Sequence, residues 1–211
     1  MGLTSRVTTD FSFVPERYQH KTCLVIGGAP SVWEDFKEAK AIYPHADTMA
    51  VNAIGSYVPG KLTYWFSLHC YYLKVWHQVR KLLYKGDATY QAPILFSLRH
   101  TGEGVQKGDI DAIWKFEDAT IECSAKNGGS LEDSGFFAMC IALVMGYRRV
   151  CLVGCPADAS GHVFIPEWEY LQHDKQKIKE AWERTMVKYP EVPARVRSMS
   201  GLTRELLGAP E

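Results

Sequence analysis

Net charge of either sign is absent from this chain: 24 Lys and Arg residues are matched by 24 Asp and Glu residues. A balanced surface offers neither the basic stripe expected of a nucleic-acid binder nor a polyacidic tract. Long apolar runs are missing too. No uncharged stretch reaches the roughly 18–20 residues that cross a bilayer, and the longest candidate, Phe136 to Met145, reads as a core helix. The N-terminus lacks the basic-then-apolar layout of a signal peptide, and Arg6 stands where an acylation motif needs Ser or Thr. None of the six cysteines (Cys23, Cys70, Cys123, Cys140, Cys151, Cys155) forms a C-x-x-C pair. They read as reduced, small core residues in a reducing compartment, which points to the cytoplasm. Cys155 is the exception in position, since it ends a strand beside the candidate site.

What is present is a glycine-rich turn, Gly27-Gly28-Ala29-Pro30-Ser31, between the apolar run Thr22–Ile26 and a helix-like stretch. A strand that stops at such a turn before a helix can seat an anion. Glycines let backbone amides approach the ligand, and the helix N-terminus adds partial positive charge. The turn is neither G-x-G-x-x-G nor G-x-x-x-x-G-K-[ST], so it is not a standard dinucleotide fingerprint or a P-loop. Ser31 and Glu34 also fit a capping box, which leaves an ordinary strand-to-helix turn as the alternative reading.

A second segment repeats the theme. Ser130 and Asp133 fit another capping box, placing Ser134 and Gly135 in the first turn of an apolar helix that stops at Gly146. Val150–Val153 then reads as a buried strand ending in another small-residue turn, Gly154-Cys155.

Along the chain, strands are expected at Cys23–Ile26, Thr48–Val51, Tyr64–Leu68, Ile94–Ser97, Ala112–Phe116, Val150–Val153 and Arg195–Met199. Helices are expected at Val32–Ile42, Tyr71–Tyr84, Leu131–Met145, Glu167–Lys188 and Leu202–Leu207. Alternation of this kind, with 46% apolar and 23% charged residues, predicts one α/β domain over residues 21–211. The sheet would be a Rossmann-like, doubly wound, mainly parallel one with helices on both faces. Residues 1–20 read as a surface arm, and residues 99–110 as a mobile loop. Tyr72, Trp76 and Val79 have the spacing of a buried helical stripe.

The combination of "GGAPS" after the first strand, Asn52 after the second, and "SGFFAMCIALVMGYRRVCLVGC" late in the chain resembles two related groups. One is the bacterial sialyltransferases that use CMP-activated sialic acid. The other contains archaeal 6-hydroxymethylpterin diphosphokinase and motility-accessory glycosyltransferases. The chain departs from their pattern twice. Gly28 stands where glycine-asparagine-glycine-proline-serine has asparagine, and the acid after the late strand is displaced to Asp158. The resemblance implies a transferase that binds a nucleotide or nucleotide-sugar donor, most simply for glycosyl transfer. An ATP-dependent pterin-type pyrophosphokinase, which would need Mg2+, is one alternative. A degenerate transferase fold acting as a binding or assembly module is another.

Ligands of doubly wound sheets bind outside the carboxyl ends of the strands, and several residues are candidates there. Gly27, Gly28 and Ala29 would anchor through backbone amides, with Pro30 and Ser31 completing the turn. Asn52 could read a ribose or base edge, or form an Asx-turn. Ser134 and Gly135 would contact phosphate. His162 is the candidate acid or base, with Asp158 orienting it or binding a metal. His69, His173, Arg99 and His100 are further candidates, and Asp109-Ile110-Asp111 is the sole D-x-D. Ser198, Ser200 and Gly201 could add donors, or Ser200 could cap the last helix. No metal site is expected beyond the pyrophosphokinase reading. A homo-oligomer fits the composition as well as a monomer.

Overall fold

The computed structural model describes residues 18–67, 70–88, 90–97, 112–113, 134–158, 160–164 and 175–211. Among the described residues, seven strands form one sheet in the order β5-β4-β3-β2-β1-β6-β7. They are β1 (Thr22–Ile26), β2 (Asp47–Val51), β3 (Tyr64–Ser67), β4 (Ile94–Ser97), β5 (Ala112–Ile113), β6 (Arg149–Val153) and β7 (Val196–Ser198). Every pairing is parallel.

The helices are α1 (Val32–Ile42), α2 (Cys70–Leu83), α3 (Ser134–Val144), α4 (Lys175–Lys188), α5 (Glu191–Arg195) and α6 (Gly201–Leu207). Successive side chains of a strand point to opposite faces, and this separates two cores. Leu24 and Ile26 of β1 pack with Val32 and Ala39 of α1 and Leu73 of α2. Cys23 and Val25 pack on the other face with α3, Trp182 of α4 and Leu207 of α6. The winding therefore runs from β1 outward to β5 with α1 and α2 on one face. It returns through α3 to β6 on the far side of β1, covering the second face. The fold is the doubly wound α/β class expected from the alternation.

Local chemistry explains the boundaries. Helix α3 is buried from Gly135 to Leu143 except at Phe137, as fits a helix over the middle of a sheet. It ends where Gly146 takes φ 92°. The Gly146 and Tyr147 amides donate back to Leu143 and Ala142 at 3.0 and 3.2 Å, as expected of a glycine stop. Buried thiols behave as small apolar groups here: burial pushes Cys151 up to about 12, and Cys23 is likewise raised.

Four expectations need correction. Neither Ser31 nor Ser200 makes a side-chain capping bond, so the Ser31/Glu34 capping box does not form and Ser200 does not cap α6. Arg195 ends α5, a helix the sequence reading missed, and the last strand begins at Val196. Tyr18, placed in the arm, packs its ring 4.8 Å from that of Tyr147 and accepts a hydrogen bond from Tyr64 at 3.1 Å.

The buried face of α2 also differs from the stripe read from spacing. Tyr72 is 52% exposed, whereas Arg80 is fully buried. The Arg80 guanidinium donates to the carbonyls of Gly55, Val58 and Gly60 at 2.8–2.9 Å and lies over the Tyr84 ring. This clamps the loop after β2, which carries Asn52, onto α2.

Candidate functional site at the strand switch

Winding reverses at β1, whose neighbours are β2 on one side and β6 on the other. Such a reversal opens a crevice at the carboxyl ends of the two strands that flank it. Here the crevice lies between the Gly27–Ser31 turn and Gly154-Cys155. The two turns touch. Gly27 and Ala29 donate their amides to the carbonyls of Val153 and Gly154 at 2.8 and 3.1 Å. A Cβ on Gly27 would sit 2.5 Å from the Gly154 oxygen. Gly154 itself has φ 59°, and a Cβ there would meet Val32.

This contact corrects the expected anchoring. The Gly27 and Ala29 amides are spent on the β6 turn, and both residues are buried. Only the Gly28 and Ser31 amides remain without an intramolecular partner among the described residues, since Pro30 has no N–H. Glu34 and Asp35 lie in the first turn of α1. The chain's own carboxylates already complement that end of the helix dipole.

Asp35 organises the crevice, and the sequence reading missed it. Its side chain is 7% exposed. A single oxygen, Oδ2, accepts from the Gly154 amide at 3.0 Å, the Ser31 hydroxyl at 3.0 Å and the Ser200 hydroxyl at 2.6 Å. One carboxylate thus ties α1 to the turns after β6 and β7. An acidic residue in a first helical turn looks in sequence like a dipole complement, so only the fold reveals this use. Asp35→Ala would strand three donors. We expect a loss of about 3 kcal/mol in urea unfolding; a change below about 0.5 kcal/mol would disprove the hub.

The loop after β6 brings His162 onto the glycine turn. Val163 donates its amide to the Gly28 carbonyl at 2.8 Å. A Cβ on Gly28 would fall on the His162 ring, 2.9 Å from Cδ2 and closer still to Nε2. Gly28 therefore makes room for an imidazole, and no left-handed φ is involved. His162 Nδ1 accepts the Phe164 amide at 3.2 Å, so the neutral ring carries its proton on Nε2, facing the turn. Burial lowers the His162 pKa from its usual 6.5, keeping it neutral near pH 7. Phe164 packs between this ring and Tyr57, with centroids 5.5 and 4.7 Å away.

Asp158 shares the loop but does not orient His162. Its Oδ1 accepts the Ser160 amide at 3.0 Å. Its Oδ2 lies 2.7 Å from where a Cβ on Gly201 would stand. Asn52 opens a short 3-10 turn after β2 with φ 55°. It accepts on its carbonyl from Trp65 Nε1 at 2.7 Å and on Oδ1 from Ser67 at 2.9 Å. That leaves its Nδ2 hydrogens without a partner among the described residues. The only other described non-glycine residue with positive φ is Ala157, at 52° on the β6 side of the crevice. A left-handed alanine costs on the order of 1 kcal/mol, so both rims hold strained backbone.

Ser134 and Gly135 do open α3 as expected, with no acidic residue in that first turn. As a crossover helix, α3 starts at the carboxyl edge of the sheet. His69, Arg99, His100, Asp109, Asp111, Ser130, Asp133 and His173 lie outside the described residues. Among the described residues, no three His, Cys, Asp or Glu side chains are grouped to hold a metal. None of the described helices is long and apolar enough to cross a membrane.

No family model matches the chain, and no curated protein sequence is similar to it. Among solved structures it is similar to the sialyltransferase CstII from Campylobacter jejuni, determined in complex with a substrate analogue, CMP-3FNeuAc. The TM-score is 0.59 at 14% sequence identity, over 90% of this chain and 86% of that one. What the two share is the fold, and the chain has the α/β architecture of a sialyltransferase.

Proposed function

We propose that this chain is a nucleotide-binding group transferase of the glycosyltransferase type, taking a nucleotide-sugar donor in the β1–β6 crevice of one domain over residues 21–211. The observation that carries the reading is the proximity of two neutral donors at the strand switch. These are the Gly28 amide, without a partner among the described residues, and the Nε2–H of His162, whose ring packs on Gly28.

In such a transfer an acceptor hydroxyl bonds to the anomeric carbon of the sugar as the bond from that carbon to the phosphate oxygen breaks. The hydroxyl proton leaves to water, and negative charge grows on the departing phosphate. Fixed donors in a partly dry site stabilise that charge without reorganising, and this is usually the largest single contribution. His162 acts as such a donor. Acting as a base at Nε2 would require the other tautomer, whose Nδ1–H would oppose the Phe164 amide. The Gly28 amide and the α3 N-terminus at Ser134 and Gly135 hold the phosphate, while Asn52 Nδ2 reads the base or ribose. The fold likeness to a protein solved with a CMP-sugar analogue makes CMP the first ligand to try.

A thermal-shift panel of CMP, UDP, GDP, ADP and ATP, with and without Mg2+, tests this. A ligand that binds only the folded state raises the melting temperature. We expect a shift with CMP that needs no metal. A shift with ATP only in Mg2+ would transfer the site to pyrophosphoryl chemistry, and no shift with any nucleotide would leave a binding or assembly module.

A further inference from the structure

We infer that Asp35 is a specificity-setting positioning residue: it turns the Ser31 and Ser200 hydroxyls into pure acceptors, so this side of the crevice takes the hydroxyls of a ribose diol and not the phosphate. The inference rests on the nucleotide reading above and assigns the ligand's orientation within it.

Each serine hydroxyl has one hydrogen to give. The Ser200 hydrogen goes to Asp35 Oδ2, at 2.6 Å the shortest contact of the group and a charge-assisted one. Ser31 Oγ has two acceptors in reach, Asp35 Oδ2 at 3.0 Å and Ser200 Oγ at 3.2 Å. Whichever it uses, its hydrogen stays inside the triangle. Both serines are half-buried, above a nearly buried carboxylate. What they turn toward a ligand is therefore lone pairs backed by a negative charge.

The neighbouring surface has the same polarity. Asp158 Oδ2, packed against Gly201, has no hydrogen-bond partner among the described residues. A phosphate, which only accepts, would face acceptors and like charge here. A vicinal diol, which donates, would find what it needs. Apart from the single Ser31 amide, the donors stand at the other end of the turn, at Gly28 and His162. The crevice is thus polarised along the Gly27–Ser31 turn, with phosphate toward Gly28 and ribose toward Ser31 and Ser200.

The test measures Kd by calorimetry for CMP, its 2′-deoxy and 3′-deoxy forms, and cytidine. Wild type should prefer CMP over at least one deoxy form by about tenfold, in line with a hydrogen bond to a charge-backed acceptor. In Ser31→Ala/Ser200→Ala that preference should fall to within about twofold, and Asp35→Asn should narrow it. The CMP-to-cytidine ratio should stay as in wild type in each variant. A purely structural role would weaken all four ligands by one common factor and leave the ribo-to-deoxy ratio intact. That result overturns the inference, as does a wild type indifferent to both hydroxyls. If Asp35→Asn fails to fold, the serine variant decides alone. Failure of CMP to bind folded wild type would overturn this assignment, and failure of every nucleotide in the thermal-shift panel would overturn the nucleotide reading as well.

Discussion

His162→Ala should lower turnover by about 10²–10³-fold while changing nucleotide affinity little, because a donor aimed at developing charge is worth more in the transition state than in the ground state. The geometry makes a sharper version of the experiment available. A glutamine amide reaches roughly where Nε2 stands and can donate a hydrogen bond, but it cannot transfer a proton at neutral pH. His162→Gln should therefore recover part of the loss. If glutamine is as poor as alanine, His162 is acting in proton transfer and the donor assignment is wrong. Unchanged turnover in His162→Ala would remove the residue from the chemistry.

The pH profile supplies a second readout. Burial lowers the His162 pKa below 6.5, so the folded ring resists a proton that the unfolded chain accepts near the ordinary value. The unfolded state then binds more protons as pH falls below about 6.5, and stability declines in that direction. His162→Ala should flatten this acid-side slope.

Gly28→Val is expected to weaken nucleotide binding by at least about 100-fold in a protein that still folds. A Cβ at Gly28 collides with the His162 ring, so the substitution expels the imidazole from the turn and crowds the free Gly28 amide together. The loop of residues 160–164 can yield without breaking the sheet. The two positions should consequently be coupled. Adding His162→Ala to Gly28→Val should cost little further turnover, whereas independent sites would multiply their effects. Calorimetry on the single variant and steady-state rates on the pair measure both. Normal affinity in Gly28→Val would place the ligand elsewhere.

Much of the sheet was legible because parallel strands buried on both faces are short continuous apolar runs between small-residue turns. Val32–Ile42 and Ile94–Ser97 match their expected bounds, and β1 and β2 each gain one residue at the start. The interior of α2 was misread for a physical reason. Arg80 looks like the marker of a solvated face, yet backbone carbonyls 20 to 25 residues away accept from both of its terminal nitrogens. Their availability depends on a loop conformation that no periodicity encodes. The candidate site divides in the same way. The glycine turn, Asn52 and His162 announce themselves by position, since each follows a strand or sits in a small-residue loop. The hub at Asp35 does not, because its partners are 119 and 165 residues distant in Gly154 and Ser200. The Ser200 hydroxyl reads in sequence as a possible donor, and the carboxylate beneath reverses that role.

The order in which the polypeptide can acquire its structure follows from the position of β1 at the centre. Its β2 partner begins at Asp47, but its other partner begins only at Arg149. During synthesis, β1 through β5 can associate while the β6 side of the central strand still lies open, and contacts of such long sequence separation close slowly. The crevice, its hub and its polarity thus come into being late and together. A ribosome-bound chain ending near residue 145 would hold the glycine turn yet have no carbonyls for Gly27 and Ala29 and no amide for Asp35. Ligand competence is in this sense a property of closure, acquired when the last third of the chain docks.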